Sequence, residues 1–126
     1  MARTALTPVD IASNTTTANP AGTALDATNS HVFTPTSPLH EYVIRVDNTT
    51  ASTKTVTVAA GDNPPADSAG QGSLVCSLTA GNVTTQVKWV GPLESARFIQ
   101  NDGTVSIDVD ASMTGTITVF QIPRNA

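Results

Sequence analysis

The chain has 126 residues, a mass of 12.9 kDa and a net charge of −4, with 39% hydrophobic but only 13% charged residues. This length predicts a single domain that can bury a core of its own. Six scattered basic residues argue against nucleic acid or an anionic membrane as partner, because they cannot neutralise or attract either one.

Thr, Ala and Val dominate the composition with 21, 16 and 13 residues, whereas there are only two Glu and two Lys. Thr and Val are β-branched and favour strands, so the composition predicts an all-β domain. Cys76 is the single cysteine, which excludes an internal disulfide framework. The N-terminus, MARTALTPVDIAS, lacks the apolar region of a signal peptide, and no run approaches the length of a membrane span. We therefore expect synthesis in a cytoplasm.

Residues 1–30 are predicted to form an extended or loosely ordered arm in front of a sandwich domain at residues 31–126. A short strand in the first dozen residues is confined to a sheet edge, because Pro8 lacks the N–H that a ladder needs. Residues 13–30 contain Leu25 as their only large aliphatic side chain, so they cannot bury enough surface to fold alone. The arm is interpreted either as a surface loop or as a segment that lies over a partner subunit.

The middle of the chain alternates between apolar and polar residues, as half-buried strands do. A short strand is expected at residues 31–33, and longer ones at residues 41–47 (EYVIRVD) and 53–60 (TKTVTVAA). The loop NTTAS between the two longer strands is of hairpin length, which predicts that they pair with each other.

Further strands are predicted at residues 73–79 and 83–90, after the turn-rich segment GDNPPADSAGQG. In the second of these, Val83, Val87 and Trp89 share a face, and this alignment favours a place in the core for Trp89.

Residues 87–122 carry the clearest pattern and are predicted to form a meander of four strands. Turns are expected at Gly91-Pro92, at Asn101-Asp102-Gly103 and at Met113-Thr114-Gly115, and Asp-Gly is a strong hairpin signal. Counting along the chain gives about eight strands at spacings of about 8–12 residues. The predicted fold is an antiparallel β-sandwich, immunoglobulin-like or jelly-roll-like.

Three aspartates invite a calcium interpretation, because Ca²⁺ takes several oxygen ligands: Asp102, Asp108 and Asp110. They lie in a turn and along a strand rather than in a D-x-D-x-D-G loop, which favours a solvated strand face. His31 and His40 are the only histidines, and no C-x-x-C or H-x-x-x-H spacing accompanies them. We therefore expect no metal and no other cofactor.

No catalytic residue is predicted. The chain has no G-x-S-x-G elbow, and Glu41 and Glu94 are its only glutamates, whereas a glycosidase needs two carboxylates across a cleft. Cys76, in LVCSL, is interpreted as a small buried hydrophobe rather than a nucleophile. The composition therefore favours a protein that is not an enzyme.

Trp89 and Tyr42 are the candidates for a carbohydrate-stacking platform, but aromatic residues make up only 4% of the chain, too few for an aromatic stripe. Exposure of both on one open face would favour glycan binding, and burial would favour a purely structural role. Arg45, Glu94 and Arg97 are candidates for an ion-paired set at a rim or an interface.

Three segments resemble one family: VDNTTASTKTVTVAAGDNPPA at 46–66, GPLESARFIQNDGTVSIDVD at 91–110 and MTGTITVFQIPRNA at 113–126, with ARTALT at 2–7. The chain resembles the small head-decoration (cement) proteins of long-tailed bacteriophages that infect actinobacteria. The resemblance implies a β-sandwich on the outside of the virion capsid, commonly a homotrimer, which binds the phage major capsid protein and cements neighbouring subunits. Multivalency would strengthen individually weak contacts.

By this resemblance the contacts would come from residues 2–17, the proline loop and the rim. The residues concerned are Arg3, Thr4, Leu6, Thr7, Val9, Ile11, Asn63, Pro64, Pro65, Glu94 and Arg97. Two alternatives stay open: an immunoglobulin-like adhesion module that binds glycan on a virion, and a structural component of a tail tube or baseplate.

Overall fold

The computed structural model describes residues 2–12, 14–61, 72–79, 86–93 and 95–122. Within these ranges the strands are β1 (Thr4–Ala5), β2 (Val9–Asp10), β3 (Thr23–Ala24), β4 (His31–Phe33), β5 (Tyr42–Asn48), β6 (Lys54–Val58), β7 (Leu74–Leu78), β8 (Val87–Val90), β9 (Val105–Val109) and β10 (Gly115–Gln121). A 3₁₀ turn at Leu39–Glu41 precedes β5, and one turn of α-helix, α1 (Ser95–Phe98), lies between β8 and β9.

The strands form two five-stranded sheets. Sheet A has the order β1-β4-β9-β6-β7, and sheet B has the order β2-β10-β5-β8, with β3 paired to β10 beside β2. Pairing is antiparallel except for β1 with β4 and β2 with β10. The all-β sandwich is confirmed. It has more strands than expected because the first 24 residues contribute three two-residue strands, too short to show an alternation.

The core lies between the sheets and consists of the alternate residues of each strand. In β5, β6 and β9 every second side chain is buried, as the sequence alternation predicted. The largest fully buried side chains include Tyr42, Phe33, Leu39, Ile44 and Leu78. The aromatic rings of Phe33 and Tyr42 pack with centroids 5.5 Å apart, and the Tyr42 hydroxyl accepts a hydrogen bond from the Thr36 amide.

The predicted hairpin between residues 41–47 and 53–60 is wrong, because β5 lies in sheet B and β6 in sheet A. The chain crosses between the sheets at the fully buried Asn48. Its amide nitrogen lies 2.7 Å from the Thr79 carbonyl oxygen and 3.4 Å from that of Leu78, at the end of β7, and 3.2 Å from that of Ser52. Its amide oxygen accepts from the Thr50 N–H. Because the buried amide needs these partners, it favours a connection that crosses to the other sheet rather than a tight β-hairpin.

The predicted four-stranded meander at residues 87–122 is also wrong, because β8, β9 and β10 alternate between the sheets and α1 replaces the second strand. Leu93 and Phe98 are both buried although they are five residues apart. A strand would place them on opposite faces, whereas a helical turn allows both to enter the core. The turn at Asn101-Asp102-Gly103 is present and Gly103 has φ +83°, but it joins a helical turn to β9.

The N-terminal segment is extended, and it is hydrogen-bonded to both sheets. The Leu6 N–H donates to the Val32 carbonyl in sheet A, and the Ile11 N–H donates to the Gln121 carbonyl in sheet B. Pro8 lies between these two bonds, where the chain passes from one sheet to the other. Strands β1 and β2 therefore occupy sheet edges, as Pro8 predicted.

We predict that Asn48→Leu lowers the free energy of unfolding by about 3 kcal/mol, because a fully buried amide is lost and the carbonyl groups at the end of β7 and in the connection lose their donor. The measurement is urea unfolding followed by far-UV circular dichroism. Thr53→Val, at an exposed position of the same connection, is the control and should change stability by less than about 0.5 kcal/mol. Equal stability of Asn48→Leu and the native chain would contradict this role.

We also predict that Gly115→Ala destabilises far more than Gly103→Ala. Both glycines have positive φ, +141° and +83°, which strains any other residue by about 1 kcal/mol. A Cβ at Gly103 would meet open space, whereas at Gly115 it would lie 1.9 Å from the Asp47 carbonyl oxygen. Gly115→Ala should therefore disrupt the start of the β10–β5 ladder, which thermal denaturation of the two variants would show. Similar melting temperatures would refute this difference.

Candidate functional site

Arg3 lies on the outer face of sheet A and is held within the chain. Its Nη2 lies 2.7 Å from a carboxylate oxygen of Asp108, and its Nη1 donates to the carbonyls of Ile107 and His31 at 3.2 and 3.4 Å. The sequence placed Asp108 on a solvated strand face. In the structure it is half exposed and forms an ion pair with Arg3, which directly precedes β1. Arg3 thus fastens the N-terminal segment to β9.

Thr4 belongs to a second, more deeply buried set of contacts. Its hydroxyl donates to the Asp26 carboxylate, the Asp26 N–H lies 3.0 Å from His31 Nε2, and His31 Nδ1 lies 3.3 Å from the Thr4 carbonyl oxygen. Since Nε2 accepts, this bonding assigns the proton to Nδ1, and the ring is neutral. Desolvation lowers the pKa of His31. The Thr4 hydroxyl, followed by the Asn29 N–H, lowers the pKa of Asp26 to about 2.

The other predicted contact residues are divided between the core, the surface and undescribed positions. Leu6 is only 6% exposed and belongs to the core, so the folded chain presents little of its surface to a partner, and its contact role stays a prediction. Thr7 is exposed, and Val9 and Ile11 are half-buried along the edge of sheet B. Arg97 Nε donates to the Gly72 carbonyl at 3.2 Å. The remaining predictions lie outside the described residues: Asn63, Pro64, Pro65 and Glu94.

The outer face of sheet A is nearly free of charge. Apart from the Arg3–Asp108 ion pair, its outward positions on the five strands carry only small or β-branched side chains. These are Ala5, Val32, Thr55, Thr57, Val75, Ser77 and Ser106. Asp110, which follows β9, adds an exposed carboxylate that accepts from Thr55. Val75 is 60% exposed, the same fraction as the most exposed aromatic residue. We call this surface the sheet A face.

The outer face of sheet B carries Trp89, which is 60% exposed, so its predicted place in the core is wrong. Val87 shares its face as predicted and is also exposed, whereas Val83 lies outside the described residues. In β8 the inward positions belong instead to Lys88 and Val90. A lysine can point inward here because β8 is an edge strand beside solvent.

Trp89 packs on Phe120, with ring centroids 5.4 Å apart and planes 29° apart. The guanidinium carbon of Arg45 lies 5.4 Å from the Phe120 centroid and 6.0 Å from that of Trp89. Phe120 is consequently almost buried although it lies on an outer face. Tyr42, the other candidate for an aromatic platform, is fully buried on the opposite side of the same sheet, so the two do not form one platform.

Arg45 connects this aromatic pair to residues 19–22, which lie over the outer face of sheet B. Its guanidinium donates to the Asn19 side-chain oxygen, to the Pro20 carbonyl at 2.8 Å and to the Thr118 hydroxyl at 3.1 Å. A cleft of about 360 Å³ lies between residues 19–21 and the sheet, with Arg45, Asp47 and Thr116 in its wall. We call this the sheet B cleft.

Comparison of the chain with models of known protein families, with curated proteins and with solved structures finds no match.

The residues that could bind a metal ion or act as a nucleophile do not form a common site among the described residues. Among the described residues, no three His, Cys, Asp or Glu side chains lie close enough together to hold a metal ion. Asp102 accepts from Thr104 in its turn, and these hydrogen bonds lower its pKa. Cys76 is half-buried on the inner side of β7, where desolvation raises the pKa of its thiol. The described chain contains no helix with the length and apolarity of a membrane span.

We predict that stability falls as pH drops below about 6.5, the ordinary pKa of histidine. Since the folded-state pKa of His31 is lowered, the unfolded chain binds its proton first, and stability present above pH 6.5 is lost as pH falls toward the folded value. The lowered pKa of Asp26 adds a separate loss of stability as pH falls from about 4 to about 2. Arg3 and Asp108 are the other charged groups next to this strand.

The measurement is chemical unfolding at a series of pH values between 7.5 and roughly 4.5. His31→Gln should lower stability at neutral pH and flatten its pH dependence. His40→Gln, at an exposed position, is the matched control and should retain the native profile. A native profile in His31→Gln would refute the assignment.

Proposed function

We propose that this protein is a non-enzymatic structural component of a virion that binds the outside of a phage capsid and cements neighbouring major capsid subunits. The observation that carries the proposal is the sheet A face, a five-stranded surface whose strands carry a single ion pair, with one further carboxylate, Asp110, beside Thr55. The resemblance of three segments to head-decoration proteins supports the phage capsid as the partner.

The chemistry of the sheet A face suits contact with another protein. Burying threonine, serine, alanine and valine requires far less desolvation than burying lysine or glutamate, and these short side chains lose little rotamer entropy. Depletion of Lys, Glu and Asp is a mark of interface cores. Among the described outward positions of these strands and the residue before β1, the only charged side chains are Arg3 and Asp108, which neutralise each other. Asp110 lies beside Thr55 and accepts hydrogen bonds from its N–H and hydroxyl groups.

The N-terminal segment supports the same proposal. Arg3 and Ala5 lie on the sheet A face beside Val32, so predicted contact residues and the uncharged surface form one continuous region. Strand β1 also leaves its outer edge unpaired by any described strand, and an edge can accept a strand of a partner. As a homotrimer on the capsid, the protein would engage several such regions at once.

The first test is co-sedimentation of the purified protein with DNA-filled and with empty phage heads. We expect saturable binding at a fixed ratio to the major capsid protein, and that ratio distinguishes trimeric from monomeric occupancy. Absence of binding to both kinds of head would refute the proposal.

A charge-scanning test locates the contact. Val75→Lys, at an exposed position of the sheet A face, should weaken co-sedimentation by about tenfold or more, because the new ammonium group loses its hydration on docking. Val87→Lys is the matched control on the outer face of sheet B, again at an exposed edge-strand valine. Equal effects of the two substitutions would contradict docking through the sheet A face.

A further inference from the structure

We propose that the outer face of sheet B binds a neutral saccharide, with a sugar ring packed on Trp89 and sugar hydroxyls in the sheet B cleft. This proposal is independent of capsid binding, which is assigned to the opposite sheet. It rests on an exposed aromatic ring held in place by its neighbours, on a cleft with polar walls beside it, and on the balance of charge in that cleft.

The Trp89 ring is both exposed and fixed. Stacking on Phe120 and the nearby Arg45 guanidinium restrain the indole, although 60% of the residue stays in contact with solvent. A restrained ring loses little conformational freedom when a ligand packs on it. The weakly polar C–H bonds of a pyranose face suit the π-surface of an indole, and the sugar's hydroxyls remain free at the rim.

The sheet B cleft lies next to this ring, because Arg45 in its wall is the direct cross-strand partner of Trp89. Asp47 stands two residues further along the same strand face, opposite Val87 and Thr116. The cleft volume of about 360 Å³ lies within the usual range for small-molecule sites. A ligand that spans ring and cleft is therefore longer than one sugar unit, which favours an oligosaccharide.

The charges in the cleft favour a neutral ligand. Arg45 directs three of its five guanidinium N–H groups to Asn19, Pro20 and Thr118, which reduces the donor capacity that is left for an anion. Asp47 adds a carboxylate, which repels anions, and accepts from the Gln86 amide at 3.0 Å. Sugar hydroxyls both donate and accept, and so match a wall that offers a carboxylate, amides and a threonine hydroxyl.

Trp89 is the only tryptophan in the chain, so its fluorescence reports this one site. The experiment titrates the full-length protein with neutral hexasaccharides of glucose (β-1,4 and α-1,4), N-acetylglucosamine, mannose and galactose. We expect a saturable change in emission with at least one of them. No change with any of the five sugars, at concentrations up to about 10 mM, would overturn the proposal.

Variants distinguish this site from other surfaces, with retention on gels that contain the active sugar as readout. Trp89→Ala and Asp47→Ala should each weaken retention by about tenfold or more. Val75→Ala, which removes an equally exposed side chain from the opposite sheet, should leave retention unchanged. Circular dichroism confirms that each variant is folded.

Two results in these variants would overturn the proposal. One is native retention of Trp89→Ala. The other is a loss of co-sedimentation with phage heads in Trp89→Ala, which would assign the ring to a protein interface. Failure of the native protein to bind heads, with sugar binding intact, would count against the capsid proposal alone.

Discussion

The buried side chain of Asn48 fixes the crossing between the two sheets, and much of the topology depends on it. One amide group satisfies carbonyls from its own connection and from the end of β7, which belongs to the other sheet. A buried amide is stable only when its donors and acceptors are paired, so these positions cannot move apart independently. Because β5 is an interior strand of sheet B and β6 is an interior strand of sheet A, this tie constrains how the sheets lie on each other.

A second set of polar contacts fixes the opposite edge of sheet A, where β1 pairs with β4. The neutral ring of His31 accepts from Asp26 and bonds to Thr4, while Arg3 reaches across to Asp108. These bonds help to order an N-terminal segment that has few large apolar side chains. Leu6 is buried in the core, Leu25 and Ala27 pack against it, and directional hydrogen bonds add to these contacts. Because burial lowers the pKa of His31, its neutral ring also makes this edge sensitive to acid.

Alternation predicted which residues of β5, β6 and β9 face inward, because a half-buried strand leaves that period directly in the sequence. It did not predict which strands pair, since both sheets draw on strands from the whole chain and a buried Asn48 resembles an ordinary loop residue. For the candidate site, alternation correctly placed Val87 and Trp89 on one face of the strand, but the sequence favoured the core for that face, and the structure exposes it. In β8 both faces carry a valine, and only the edge position of the strand allows Lys88 to point inward.

The two outer faces differ because alternation constrains only the inner side of each strand. In sheet A the outward strand positions hold small uncharged residues and one internal ion pair. Such a surface has a low free-energy cost of desolvation when a partner covers it. In sheet B the outward positions hold Trp89, Arg45 and Asp47. Burying their polar groups costs free energy unless the groups stay hydrated or hydrogen-bonded. Burying sheet B against a flat protein surface would therefore be costlier than burying sheet A. The fold thus supports attachment through sheet A with sheet B left open to solvent and to small ligands.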